Sequence, residues 1–183
     1  MATFPPPFAD ADEKHVHVIV ETPRGSRYKY AWQPEYGLYL LKRTLPAGTS
    51  FPHDFGFIPH TLADDGDPLD VMVLSSEPVA VGALLTCRVL GIIEAEQVDE
   101  PGATPIRNDR LICAPMYNPE FEGIQTIADL GKRWLNDLTR FFNFYRSRTG
   151  GSFTLIANRG PEAAMRVIRK AIERGSKPKE DAS

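Results

Sequence analysis

Asp64-Asp65-Gly66-Asp67-Pro68-Leu69-Asp70-Val71-Met72-Val73-Leu74 is the stretch on which the reading of this chain turns. Four carboxylates fall within seven residues, and the chain then becomes an apolar strand. Carboxylates so crowded repel one another, and each has its pKa raised unless a cation sits among them. Gly66 permits a backbone bend that other residues resist, and Pro68 fixes φ at the turn. A bend that gathers Asp65, Asp67 and Asp70 around one point suits a hard divalent cation such as Mg²⁺. The plainer alternative is a solvated Asp-Gly turn joining two strands. An EF-hand is set aside. Counting from Asp65, the sixth position is Asp70 where glycine is needed, and the twelfth is Ser76 where glutamate is needed.

On either side of this turn the chain reads as short strands. His15 to Val20 alternates and runs into the turn Glu21-Thr22-Pro23-Arg24-Gly25. Tyr28 to Trp32 and Tyr36 to Lys42 are further strands, broken at Pro34 and Gly37. Met72 to Leu74 and Leu84 to Ile93 are buried strands, and Arg110 to Ala114 and Phe153 to Ala157 are shorter ones. Many short strands with Gly/Pro punctuation indicate a closed or nearly closed barrel. Two helices follow. The first is capped by Thr126 with Asp129 and carries the stripe Ile127, Leu130, Trp134, Leu138, Phe141 and Tyr145, ending before Gly150. The second opens at Gly160-Pro161, runs through Met165, Ile168 and Ile172, and stops at Gly175. The expected organisation is one domain over 1–183, with a loose arm at 1–14 and a frayed tail at 176–183.

A chain of 183 residues can bury a real core, and 42% hydrophobic with 25% charged residues is ordinary globular composition. A net charge of −3 gives no electrostatic footprint for nucleic acid. No apolar stretch approaches the ~18 residues needed to span a membrane. The N-terminus lacks the basic and apolar regions of a signal peptide, so a cytoplasmic location is expected. Cys87 and Cys113 sit in apolar runs and read as buried thiols, with a sequence-distant disulfide left open.

Isolated cations stand in strand-like surroundings: Lys29, Arg43, Arg88, Arg110 and Arg146. If several face the acidic turn, the site is bipolar, with carboxylates for metal and cations for an anion, which suits phosphoryl chemistry. The alternative is that they line a solvated sheet face. His15, His17, His53 and His60 lack zinc-ligand spacing. No G-x-S-x-G, P-loop or G-x-G-x-x-G is present.

At this point the residues resemble a known family. Asp65-Gly66-Asp67-Pro68-Leu69-Asp70 matches the D-x-D-P-x-D signature of the soluble inorganic pyrophosphatases. Val18 to Tyr30 is similar to that family's opening strand and turn. Phe51-Pro52-His53-Asp54-Phe55-Gly56-Phe57-Ile58-Pro59 is similar to its Y-P-x-x-Y-G-[FY]-I-P stretch, and Phe141 to Arg146 to its F-F-x-x-Y-K helix end. The resemblance spans about residues 15 to 175. It implies an α+β fold, a five-stranded OB-like barrel with additional short strands and two flanking C-terminal helices. It implies hydrolysis of inorganic pyrophosphate with Mg²⁺, Mn²⁺ or another divalent cation being possible, and a homo-oligomer, hexamer or dimer. Carried over by position, Asp65 and Asp70 ligate metal, Glu21 serves an outer metal, and Asp67 is the general base. Lys29, Arg43, Tyr145 and Arg146 hold phosphate, and Arg110 stands in for a lysine that does the same.

The departures bear on activity. The family's glutamate two residues after the lysine is Ala31, and two tyrosines are Phe51 and Phe55. The later D-x-x-x-x-D-x-K pattern is interrupted by an insertion, Val98 to Arg107. On that register Asn108 replaces a metal-ligating aspartate and offers a neutral oxygen. Asp109 points to the other face unless a bulge turns it. Glu94, Glu96, Asp99 and Glu100 are the candidates for the remaining acid. A slower enzyme with weaker metal affinity is therefore expected. The alternatives are a paralogue that binds phosphate or a phosphorylated ligand without turnover, and a hydrolase of another phosphoanhydride.

Overall fold

The computed structural model describes residues 4–148 and 150–176. In chain order the elements are β1 (His15–Thr22), β2 (Tyr28–Gln33), β3 (Leu38–Thr44), β4 (Asp54–Phe57), β5 (Asp70–Val73), β6 (Leu84–Val98), β7 (Ile106–Arg107), β8 (Arg110–Pro115), α1 (Gly131–Ser147), β9 (Ser152–Arg159) and α2 (Pro161–Gly175). Five of the strands pair in the order β1-β4-β5-β8-β6, and β6 returns to β1, so the sheet closes on itself. Closure removes the exposed edges that short strands would otherwise present. Only the β5–β8 pair of this ring is parallel. β6 is long enough, at 15 residues, to pair with β1 early and with β9 and β7 late. β2 and β3 form a separate hairpin. The fold is thus the expected α+β arrangement of a five-stranded OB-like barrel with two helices.

Side chains alternate across a strand, and the core follows that period. Val71 and Val73 of β5, with Leu111 and Cys113 of β8, pack with Ala164, Ile168 and Ala171 of α2. Their neighbours Met72, Leu74, Ile112 and Ala114 pack instead with Leu138 and Phe142 of α1. Both cysteines are buried and free.

Four expectations need correction. β4 was no strand in the sequence; it lies between β1 and β5 and pairs with both. The first helix does not start at Thr126. Thr126 and Asp129 close a separate 3-10 turn, Ile127–Leu130, and the chain leaves helical geometry at Gly131 (φ 77°, ψ 165°). Residues 4–14 are docked, not loose: the His17 amide donates to the Pro7 carbonyl at 2.8 Å, and the Phe4 ring meets Trp32 and Phe57 at 4.9 and 5.4 Å. Prolines there preclude regular structure but not packing. Arg88 is structural, since its Nη2 donates to the Phe121 and Ile124 carbonyls, each at 2.8 Å. Of the expected tail, 177–183 lies outside the described residues.

Candidate active site

The acidic turn bends at Gly66 as expected, but among the described residues Asp65, Asp67 and Asp70 are not gathered around one point. Gly66 takes φ 90°, the Asp67 amide donates to Asp65 Oδ1 at 3.2 Å, and the Ala63 amide donates to the Asp67 carbonyl at 2.7 Å. Asp70 opens β5 opposite Phe57. Glu21 reaches the same region because β1 carries an irregularity there: Val20 pairs with Gly56 and Thr22 with Phe55, leaving Glu21 as the extra residue. Such bulges re-aim a side chain. The Trp32 amide donates to Glu21 Oε1 at 2.6 Å and fixes its carboxylate.

These carboxylates feel one another. Burial raises the Glu21 carboxyl to about 7; the Trp32 hydrogen bond opposes this, and the charges of Asp70 and Asp67 add to it. Water still touches Asp70, but the protein crowding the cleft floor removes enough solvent to raise its carboxyl as well. Arg110 and Lys29 oppose that rise, and Asp65 and Asp67 add to it. Among the described residues, no three His, Cys, Asp or Glu side chains are drawn into a ready-made metal cage.

The cations form the other pole. Lys29 and Arg43 are direct cross-strand partners, with a register shift just after Lys29. Like charges placed directly opposite are destabilising, so this pairing favours an anion between them. Arg43 Nη1 donates to the Tyr145 hydroxyl at 3.4 Å, and its guanidinium lies 5.6 Å from that ring's centre. Arg110 is buried with its guanidinium 4.4 Å from the centre of Phe142, a cation–π seat. Burial disfavours its charge, Asp70 supports it, and the neighbouring Arg146 opposes it. Arg110 donates to the Asn108 carbonyl at 2.9 Å and to Gln97 Oε1 at 3.4 Å. Arg146 donates to the same Gln97 Oε1 at 2.5 Å and pairs with Asp99.

Three adjoining cavities connect the poles. One of about 40 Å³ brings Glu21, Lys29, Asp70, Arg110, Tyr145 and Arg146 together. An open trough of about 460 Å³ holds Arg43 and Arg146. A third, of about 210 Å³, places Asp65, Asp70 and Asn108 against α2. Asp70 and Arg146 each line two of them. Asp67 lines none of the three, and its charge reaches Glu21 and Asp70 from the turn.

Of the candidates for the missing later acid, Asp99 is paired with Arg146 at the trough, and the others are engaged elsewhere or turned outward. Asp109 accepts from the Ala95 amide at 3.1 Å and from Arg107 Nε at 2.5 Å. Glu94 pairs with Arg107 and Arg159, Glu96 is exposed, and Glu100 lies on the trough rim. The buried position between the two arginines belongs to Gln97, which sequence reasoning missed. Ile93, Ala95 and Gln97 share the inward phase of β6, and that period was the signal available. Phe51 and Phe55 form an apolar wall with Phe141 and Tyr145, at ring separations of 5.4 to 6.0 Å.

Glu21→Gln should raise the thermal stability of metal-free protein at pH 8. An acid whose folded pKa exceeds its unfolded one holds its proton more tightly when folded, so it costs stability as pH rises. The cost builds between 4.5 and about 7 and is full above that. Its upper bound is about 3 kcal/mol. The gain should vanish below pH 4.5, and equal melting of both proteins across this range would contradict it.

The barrel-side cleft sets a carboxylate pole beside a guanidinium pole, an arrangement suited to phosphoryl chemistry. The family model for inorganic pyrophosphatase matches residues 18–176. The chain is 36% identical over 161 residues to the inorganic pyrophosphatase of Aquifex pyrophilus, covering 86% of this chain and 88% of that protein. It is 34% identical over 171 residues to that of Thermus thermophilus, covering 92% and 94%. A crystal structure of the Thermus thermophilus inorganic pyrophosphatase superposes with a TM-score of 0.83 at 33% identity, covering 93% of this chain and 97% of that one. One from Neisseria gonorrhoeae gives 0.82 at 31%, covering 94% and 96%. The chain belongs to the inorganic pyrophosphatase family.

Proposed function

We propose that this protein hydrolyses inorganic pyrophosphate to two phosphates, acting as a single domain over 1–183 that uses Mg²⁺, with Mn²⁺ or another divalent ion as a substitute. The observation that carries the reading is the shared cleft floor, where Asp70 and Glu21 meet Lys29, Arg110, Tyr145 and Arg146. The donor set fits a divalent ion. Glu21 and Asp70 are both pushed toward protonation by burial, with crowded like charges adding. A cation relieves that cost. Mg²⁺ is commonly held by one or two carboxylates plus substrate oxygens, so a three-carboxylate cage is not required. Asp65 and Asp70 would hold it, with Glu21 serving an ion nearer the substrate. When bound, the ion lowers the pKa of a water and draws charge from phosphoryl oxygens.

The chain's own residues do the rest. Asp67 accepts the proton of the attacking water. Lys29 and Arg43, held opposite each other, grip one phosphoryl group, and the Tyr145 hydroxyl bonded by Arg43 is fixed beside it. Arg110 and Arg146 hold the phosphate that departs. The neutral Asn108 and the hydrocarbon surfaces of Ala31, Phe51 and Phe55 leave this site fewer polar groups than its family pattern, so turnover is slow and needs more metal. A cytoplasmic location suits two free buried thiols. The exposed Tyr36, Leu38 and Leu40 of the β2–β3 hairpin support assembly into a homo-oligomer, a hexamer or dimer.

Phosphate release from pyrophosphate across a Mg²⁺ titration tests the reading, with Asp67→Asn as the background. Turnover well above that background, saturating at high Mg²⁺, is expected. Rates equal to the background at every metal concentration favour the second reading, a binder of phosphorylated ligands, which the amides of Gln97 and Asn108 support. Faster release from tripolyphosphate or a nucleotide than from pyrophosphate would instead assign another phosphoanhydride.

A further inference from the structure

We infer that the corner of the cleft framed by Gln97, Asn108, Arg110 and Arg146 takes a phosphoryl group directly on its guanidiniums and takes no divalent cation, so that the protein binds pyrophosphate even without metal. The inference deepens the pyrophosphatase reading and rests on it. A hard divalent ion needs anionic oxygen donors. At this corner the two guanidiniums share one neutral oxygen, Gln97 Oε1, at 2.5 and 3.4 Å. A carboxylate at position 97 would neutralise one of them and offer a metal ligand; the amide does neither. Asn108 is likewise neutral, and the adjacent Asp109 is committed to Arg107 and the Ala95 amide. Asp99 pairs with Arg146 from the trough side and is half exposed.

The arginines are also held in place. Arg110 is buried against Phe142 and donates to the Asn108 carbonyl. Arg146 is pinned between Gln97 and Asp99. Two anchored guanidinium forks match phosphate oxygens in geometry and sign. Arg146 also lines the trough with Arg43, beside Asp99 and Glu100, so the corner is open to solvent on that side. The metal requirement is thereby confined to the acidic turn and Glu21.

Isothermal calorimetry on the full chain tests this, with pyrophosphate in EDTA and, separately, with Mg²⁺ alone. The wild type should bind pyrophosphate in EDTA. Gln97→Glu keeps the side-chain shape and adds a charge between the arginines. It should weaken that affinity by at least about tenfold, strengthen binding of Mg²⁺ alone, and melt no lower. Asn108→Asp, at a half-buried position, should move both affinities the same way and keeps the test intact if the first variant unfolds. A folded wild type that gives no heat with pyrophosphate in EDTA overturns the inference, as does unchanged metal-free affinity in the folded variants. Turnover with Mg²⁺ on the same preparations separates the two readings. Metal-free binding without turnover removes the hydrolase and leaves the corner. Turnover without metal-free binding does the reverse.

Discussion

Asp70→Asn is expected to lower pyrophosphate turnover by about 10²–10³-fold, the usual cost of one lost electrostatic group in such a site. Its metal-free form should nevertheless melt at a higher temperature than the wild type at neutral pH. Asp70 joins the carboxylate pole to the guanidinium pole, lining the cleft floor with Arg110 and the neighbouring cavity with Asp65. Burial raises its carboxyl more than Arg110 and Lys29 lower it, so the ionised form costs the fold stability. Asparagine keeps the shape and removes the charge. A raised folded pKa means that this cost is absent at low pH, grows as pH rises above 3.8, and is complete once the folded group is ionised. The stability gain of the variant should follow the same course. Paired measurements of turnover and melting against pH, in EDTA for the latter, check both halves. Full activity in the variant would remove Asp70 from the chemistry, and a lower melting point at neutral pH would mean that its attraction to Arg110 and Lys29 outweighs the burial cost.

Gly56→Ala should destabilise the protein by about 3 kcal/mol or more. That is a large part of the roughly 5–15 kcal/mol by which domains are stable. Gly56 lies in β4 between Val20 of β1 and Val71 of β5. A Cβ there would stand 2.1 Å from the Ile19 carbonyl oxygen, 2.9 Å from its carbon and 3.1 Å from the Val20 Cα. All three atoms are backbone, so no rotamer change relieves the clash. β1 would have to move, and Glu21, the extra residue aimed into the site, sits directly beyond Val20. The melting temperature should fall by about 6–12 °C. Turnover per folded molecule should fall as well. A variant that melts like the wild type would show that β1 and β4 do not approach this closely.

The local patterns were legible because they depend on neighbours in the chain. Alternation at Val71 to Leu74 and Leu111 to Ala114 gave strands and sorted their faces between two helices. Gly160-Pro161 marked the start of α2 correctly. β4 was illegible for the converse reason. Asp54-Phe55-Gly56-Phe57 has weak strand propensity, and pairing on both sides holds it in place. The stripe through Leu130 and Trp134 is continuous at helical spacing, but Gly131 interrupts the backbone beneath it. Thr126 therefore caps only a short turn.

The sequence by itself determined the bend of the acidic turn, four of the five barrel strands and the family, since a bend, a two-residue period and motifs in register are properties of the chain alone. Only the tertiary structure decided which charges meet. Glu21 joins Asp70 through a bulge and a donated amide from another strand, and Lys29 faces Arg43 across a hairpin. Gln97 comes to lie between Arg110 and Arg146 because β6 pairs with β8 as far as Ile93 opposite Arg110, and Arg146 at the end of α1 reaches the Gln97 that follows. Such meetings are set by barrel closure and strand register, which link residues far apart in the chain. No local period encodes them.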